Sequence, residues 1–163
     1  KDDGFVEHID VTEPVDRALI YFREQFRMHK IDLEVNIEKN LPKVRANSQN
    51  VEQMIINFIT NARHAVEKRV PKGTLGEKKV SLAVMLDKKL NSVIIEVKDN
   101  GIGMTENEKN NCLNPFYTTK EKGEGTGLGL SIVHNIVKEL NGVLEIESSV
   151  EKGTTMHVLV PVD

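Results

Sequence analysis

Four short segments carry residue types whose spacing could do chemistry. In Asn57-Phe58-Ile59-Thr60-Asn61-Ala62 the two asparagines are i,i+4 neighbours, so on a helix they share one face, with His64 one turn on. Amide oxygens are hard ligands that suit Mg2+, a cation that keeps several waters and is shared with phosphates. In Asp99-Asn100-Gly101-Ile102-Gly103-Met104 an Asp closes an apolar stretch, and two glycines allow backbone to approach a ligand closely. That carboxylate could accept from an exocyclic amine such as adenine N6. In Gly123-Glu124-Gly125-Thr126-Gly127-Leu128-Gly129-Leu130-Ser131, glycines alternate into the start of a helical pattern. Exposed backbone N–H groups at a positive helix end form a phosphate cradle. The run lacks the Gly-Lys-Ser/Thr of a Walker loop and the Gly-x-Gly-x-x-Gly spacing of dinucleotide folds. Asn114-Pro115-Phe116-Tyr117-Thr118-Thr119-Lys120 adds two aromatic anchors and a cation for phosphate.

Each segment alone has an ordinary reading: surface asparagines, an Asp-Asn-Gly turn, a flexible linker, a solvated lysine. Asn is a poor helix former, so two in mid-helix call for a reason. The turn reading is common for those residue types. The helical pattern directly after the glycine run argues against a linker.

The elements that must position these groups follow from periodicity. Val15, Ala18, Leu19, Phe22 and Phe26 recur at helical spacing after Pro14, which suits a first turn. Ile31–Ile37 alternates as a half-buried strand. A long helix is predicted from Asn47 or Ser48, with Val51, Met54, Ile55, Phe58, Ile59, Ala62, Ala65 and Val66 on one apolar face, ending at Pro71 and Gly73. Strands through Val80–Leu86 and Ser92–Asp99 form a hairpin across Asn91-Ser92. A short helix near Glu106–Leu113, a loop, a helix over Leu128–Leu140, an Asn141-Gly142 stop and strands Val143–Ser148 and Thr154–Val160 complete the order. Hairpins replace strict βα alternation, which predicts an α+β, two-layer α/β sandwich: one mixed, mostly antiparallel sheet with helices on one face.

Composition narrows the function classes. A net charge of -3 argues against nucleic-acid binding, and the pairs Lys78-Lys79 and Lys88-Lys89 belong on solvated strand ends. With 4% aromatics and no Trp, the core must rest on Val, Ile and Leu. Cys112 is the single cysteine, so no internal disulfide can form, which fits a reducing compartment. No apolar run is long enough to span a bilayer. The chain begins at Lys1, which reads as a fragment of something longer.

Together and in this order, the four segments resemble the histidine-kinase branch of the ATPase superfamily shared with type II topoisomerases and mismatch-repair proteins. They match its N box (Asn57–Ala65), G1 box (Asp99–Gly103), F box (Pro115–Lys120) and G2 box (Gly125–Leu130), with Gly153-Thr154-Thr155 as a further element. The run Pro-Phe-Tyr-Thr-Thr-Lys followed by Gly-Thr-Gly-Leu-Gly-Leu-Ser looks most like the nitrogen-sensor type. The resemblance implies the Bergerat ATP-binding fold over residues 14–163, with residues 1–13 as the remnant of a linker or dimerisation helix. It implies ATP and Mg2+ as cofactors, with Asn61 on the metal and Asn57 supporting metal or phosphates in catalysis. Asp99 would bond adenine N6, with Gly101 and Gly103 in the same turn letting the base pack close. Lys120 would meet the phosphates as a catalytic cation. Thr126, Gly127, Leu128, Gly129 and Leu130 would wrap them as a lid, and Thr155 would back the Asp99 water network. Many relatives carry Lys or Arg three residues after the metal Asn; here it is His64.

Hydrolytic members of the superfamily place a Glu four residues before the metal Asn as general base. Here Asn57 stands there, and Glu52 and Glu67 fall off that face. The expectation is therefore phosphoryl transfer to a protein histidine, by positioning and charge neutralisation. None of His8, His29, His64, His134 and His157 stands in an acceptor's His-Glu or His-Asp context. The acceptor is expected on a separate dimerisation domain of the same protein, with a response regulator downstream. The fragment is expected to be monomeric and cytoplasmic, its parent homodimeric and open to membrane anchoring. The competing readings are an ATPase or serine kinase on the same fold, and a nucleotide-binding regulatory module without transfer activity.

Overall fold

The computed structural model describes residues 5–69, 77–120 and 125–162. The expected helix stop at Pro71 and Gly73, and Gly123 and Glu124 of the glycine run, lie outside them.

The first helix, α1 (Thr12–Met28), buries Pro14, Val15, Ala18, Leu19, Phe22 and Phe26 along one stripe. The strand β2 (Ile31–Ile37) follows, then a short β3 (Val44–Ala46) and the long helix α2 (Ser48–Lys68). The Asn47 side chain caps α2 by accepting from the backbone N–H of Gln49 at 2.9 Å and of Asn50 at 3.3 Å. Strands β4 (Lys78–Asp87) and β5 (Ser92–Asp99) form the expected hairpin. A short α3 (Glu106–Asn111) starts with a capping box between Thr105 and Glu108. Helix α4 (Gly129–Glu139) and strands β6 (Val143–Ser149) and β7 (Gly153–Pro161) end the chain.

The main sheet runs β2-β4-β5-β7-β6, with β2 and β4 parallel and the other pairs antiparallel. Helix α2 lies across β4, β5 and β7 and is flanked by α1 and α4. Between these layers sit Val80, Leu82 and Val84 of β4, Val93, Ile95 and Val97 of β5, and Met156, Val158 and Val160 of β7. They meet Met54, Ile55, Phe58, Ile59 and Val66 of α2, so the predicted apolar face is the core face. The opposite sheet face carries Glu96, Lys98, Glu145 and His157, and His157 Nδ1 lies 3.2 Å from Glu96 Oε2. The two-layer sandwich with helices on one face is the observed architecture.

One boundary moves. Glu7–Ile9, placed by sequence among residues leading into the domain, is β1, paired antiparallel with β3. Ile9 is nearly buried and Val11 has no exposed surface. Three-residue strands are too short for alternation to register, so neither β1 nor β3 was visible in the pattern. If residues 7–11 are part of this fold, Val11→Ala should cost about 2 kcal/mol in urea unfolding, from the lost methyl burial and the cavity left behind. A cost below about 0.5 kcal/mol, the range of ordinary surface changes, would show that the segment packs only loosely.

Candidate functional site

The flank of α2 beside its core stripe turns Asn57, Asn61 and His64 into a cavity of about 500 Å³. The end of β5 brings Asp99 to one side, and the loop after it contributes Ile102, Gly103 and Met104. Thr154 and Met156 of β7 lie alongside Asp99, and Glu108 of α3 and Cys112 just after it border the same space. Tyr117–Lys120, Gly125–Gly127, Gly129 and Leu130 close the far side.

Asp99 is almost wholly buried, and its Oδ1 accepts from the backbone N–H of Gly101 at 2.8 Å. Burial pushes its carboxyl up to about 6; the backbone N–H groups of Gly101 and Thr154 pull the other way without reversing it. Opposite it across the ladder is Thr154, whose Oγ1 lies 2.8 Å from Ser148 Oγ. That hydroxyl also accepts from Met104 N–H at 2.8 Å and donates to the Gly153 carbonyl at 3.1 Å. The Asp99 end of the cavity is thus a carboxylate in an apolar wall, tied to a fixed polar relay.

At the other end, Lys120 Nζ lies 2.6 Å from His64 Nδ1 and 3.4 Å from Asn61 Oδ1. Lysine offers only donors, so the ring nitrogen and the amide oxygen accept. Asn57 Nδ2 is buried and has no hydrogen-bond partner among the described residues. Its Oδ1 lies against Gly129, where an added Cβ would come within 3.3 Å. Helix α4 begins there without a side-chain cap, leaving its first N–H groups for another acceptor.

Backbone geometry fixes the contact between Phe116 and Gly127. Phe116 holds φ +65°, rare for a bulky residue, while its side chain is 75% exposed. Gly127, at φ +68°, lies so close that a Cβ would sit 2.5 Å from the Phe116 carbonyl carbon.

Ten of the residues singled out by sequence line the cavity: Asn57, Asn61, His64, Asp99, Gly103, Lys120, Thr126, Gly127, Gly129 and Leu130. Three do not. Gly101 is pressed onto the Ala65 backbone, so its smallness serves packing on α2. Leu128 precedes α4, and its carbonyl accepts from Ile132 N–H and Ser131 Oγ, both at 2.9 Å. Thr155 pairs with Lys98 on the outer sheet face, so Thr154 takes the place beside Asp99 expected of it. Strand phase held that signal: Met156, Val158 and Val160 face inward, and Thr154 is in step with them. Gly103 contributes through its own reason as well: at φ +66° its α-carbon faces the Ser149 carbonyl, leaving no room for a side chain. Met104, Met156 and Cys112 read as plain apolar residues in sequence, and only the fold brings them to the cavity.

Residues 46–163 match the family described as histidine kinase-, DNA gyrase B-, and HSP90-like ATPase. Sporulation kinase E of Bacillus subtilis (strain 168) is 32% identical over 156 residues, covering 96% of this chain and 20% of the relative. Sensor kinase CckA of Brucella abortus (strain 2308) is 34% identical over 140 residues, covering 80% of this chain and 14% of the relative. The chain therefore spans a fifth or less of these relatives. The solved catalytic domain of histidine kinase ThkA, in a nucleotide-free form, superposes with a TM-score of 0.80 at 26% identity, covering 97% of this chain and 98% of that one. The chain belongs to the histidine kinase-, DNA gyrase B- and HSP90-like ATPase family, and its fold is that of the ATP-binding catalytic domain of histidine kinases. These matches single out no nitrogen-sensor subtype.

The raised Asp99 pKa has a stability consequence. Between its ordinary 3.8 and about 6 the folded chain binds the extra proton, so stability falls as pH rises through that window. Above about pH 6 the buried charge is a constant cost, at most about 3 kcal/mol. Asp99→Asn keeps an acceptor for the Gly101 and Thr154 N–H groups and removes the charge. Melting curves should show the variant gaining on the parent from pH 4 to 6, then holding a constant lead. A lead that shrinks with pH would contradict the assignment.

Proposed function

We propose that this chain is the phosphoryl-donating half of a sensor histidine kinase. It binds Mg2+-ATP in the cavity between α2, the sheet and the lid. It presents the γ-phosphate to a histidine on a dimerisation domain of the same protein, for onward transfer to a response-regulator aspartate. The observation that carries this reading is that a buried carboxylate, Asp99, and an Asn57–Asn61–Lys120 row share one cavity of about 500 Å³, within the range of small-molecule sites.

Each wall has a task. Asp99 accepts from a purine amine, and Ile102, Met104 and Met156 supply apolar surface for the ring. Asn57 Nδ2, without a partner among the described residues, is a donor that a phosphate oxygen would satisfy. Lys120 and the open N-terminus of α4 add positive potential at the same end. Asn61 Oδ1 offers one hard oxygen for a cation. Among the described residues no three His, Cys, Asp or Glu cluster as a metal site. A cation held through one amide oxygen, phosphate and water is the habit of Mg2+, and when bound it would neutralise phosphate charge.

The carboxylates support transfer over hydrolysis. Glu52 is paired with Arg17 at 2.7 Å, and Glu67 with His29 at 2.6 Å. Within the cavity Asp99 sits at the purine end, and Glu108 accepts from Thr105 N–H at 2.7 Å to cap α3. No described carboxylate is placed to activate water beside Asn61. Residues preceding β1 would lead from the dimerisation domain of a homodimeric parent. No described helix is long and apolar enough to cross a membrane; a cytoplasmic site for this domain, with or without an anchored parent, goes with the reading.

Calorimetry should find tighter ATP binding with Mg2+ than without, and Asn61→Ala should erase most of that difference. The chain alone should incorporate no phosphate from labelled ATP, and should label a histidine once the dimerisation domain is added. Self-labelling of the isolated chain, or steady ATP turnover without an acceptor, would refute the division of labour.

A further inference from the structure

Lys120 and His64 meet across the cavity from distant parts of the chain, one from the lid's root and one from α2. Their separation, 2.6 Å, is shorter than the 3.4 Å from the same ammonium to Asn61 Oδ1. A charged donor on a neutral acceptor is a strong hydrogen bond, and this one is part-buried. The lysine stem is otherwise rich in rotamers, so an ammonium at one spot needs something to hold it. The Lys120 backbone N–H donates to Thr118 Oγ1 at 3.1 Å, and the stem passes close by Gly125, where an added Cβ would sit 2.7 Å from Lys120 Cδ. Root, stem and tip of this side chain are therefore each restrained.

We propose that His64 is a positioning residue: its Nδ1 holds the Lys120 ammonium beside Asn61, so the phosphate end of the cavity carries its own cation before any metal arrives. The proposal rests on the nucleotide reading above and deepens it. An ammonium and a divalent cation repel each other on one amide oxygen. Lys120 must therefore leave Asn61 Oδ1 when Mg2+-ATP loads, and Lys120 supplies the charge neutralisation when ATP binds without metal. His64 acts through Lys120 and not on the nucleotide itself. The ring at position 64 matters for its acceptor, not for its bulk.

The test is ATP and adenosine binding by calorimetry, with and without Mg2+, in four variants. Lys120→Met and His64→Phe should each weaken metal-free ATP binding about tenfold, the scale of one hydrogen bond to a charged group. With Mg2+ present the loss should shrink below about threefold, because the metal supplies the charge. His64→Asn keeps an acceptor near the Nδ1 position and should bind as the parent does. The double variant His64→Phe, Lys120→Met should be no weaker than Lys120→Met alone. Adenosine, which lacks phosphates, should bind all four equally, and this also reports that each variant is folded. The proposal is overturned if His64→Phe leaves metal-free ATP binding unchanged, if it costs a further tenfold without Lys120, or if adenosine weakens in parallel. A parent chain that binds adenosine but not ATP overturns it too. A parent that binds neither overturns the nucleotide reading first.

Discussion

The pocket depends on a backbone contact between α2 and the loop that follows β5. Gly101 lies against Ala65 with no room for a side chain, and the Ile102 N–H donates to the Ala65 carbonyl at 3.1 Å. Arg69 adds a further hydrogen bond from its guanidinium to the Asn100 carbonyl. This clamp sets the distance between the Asn face of α2 and the carboxylate at the end of β5. Helix α2 is held from below by its apolar stripe on β4, β5 and β7, so the clamp closes on a rigid partner. One helix thus carries the core stripe and, next to it, the polar row, and the stability of the first fixes the geometry of the second.

Electrostatic tension is divided between the ends of the cavity. At the Asp99 end a charge is held where solvent is scarce, with backbone donors and the Ser148–Thr154 relay around it. At the other end donors outnumber acceptors: the Asn57 amide nitrogen has no partner among the described residues, and α4 opens uncapped. A group with an amine at one end and anionic oxygens at the other relieves both imbalances at once. Such a site discriminates by leaving its own groups unsatisfied in the absence of the right ligand.

Much of this was legible in the chain before folding, for reasons that differ by element. Helix α2 was readable because its apolar residues keep period over 21 residues and Asn47 is a strong cap. The β4–β5 hairpin was readable because alternation persists on both sides of its turn. The strands β1 and β3 were not, since three residues carry no period. Thr154 and Thr155 differ by one step, which flips the face; the Gly-Thr-Thr run alone does not say which threonine goes in, and only its phase with Met156, Val158 and Val160 does. Gly101 and Gly103 were recognised as glycines that matter, but sequence does not distinguish a glycine that admits a ligand from one that admits Ala65 or Ser149. The Lys120–His64 contact spans 56 residues and has no local signature at all.

The sheet joins both near and distant parts of the chain. Ile31 meets Lys78 across a crossover that contains the whole of α2, whereas β4 with β5 and β6 with β7 are joined by tight turns. Chain closure over the longer path costs more entropy and is repaid only once α2 has found its seat. The β5–β7 ladder closes a longer path still, since Asp99 meets Thr154 across α3 and α4. The cavity sits on that ladder, through Asp99, Thr154 and Met156. The wall that carries Asp99 is therefore complete only once the β6–β7 hairpin, last in the chain order, has docked on β5.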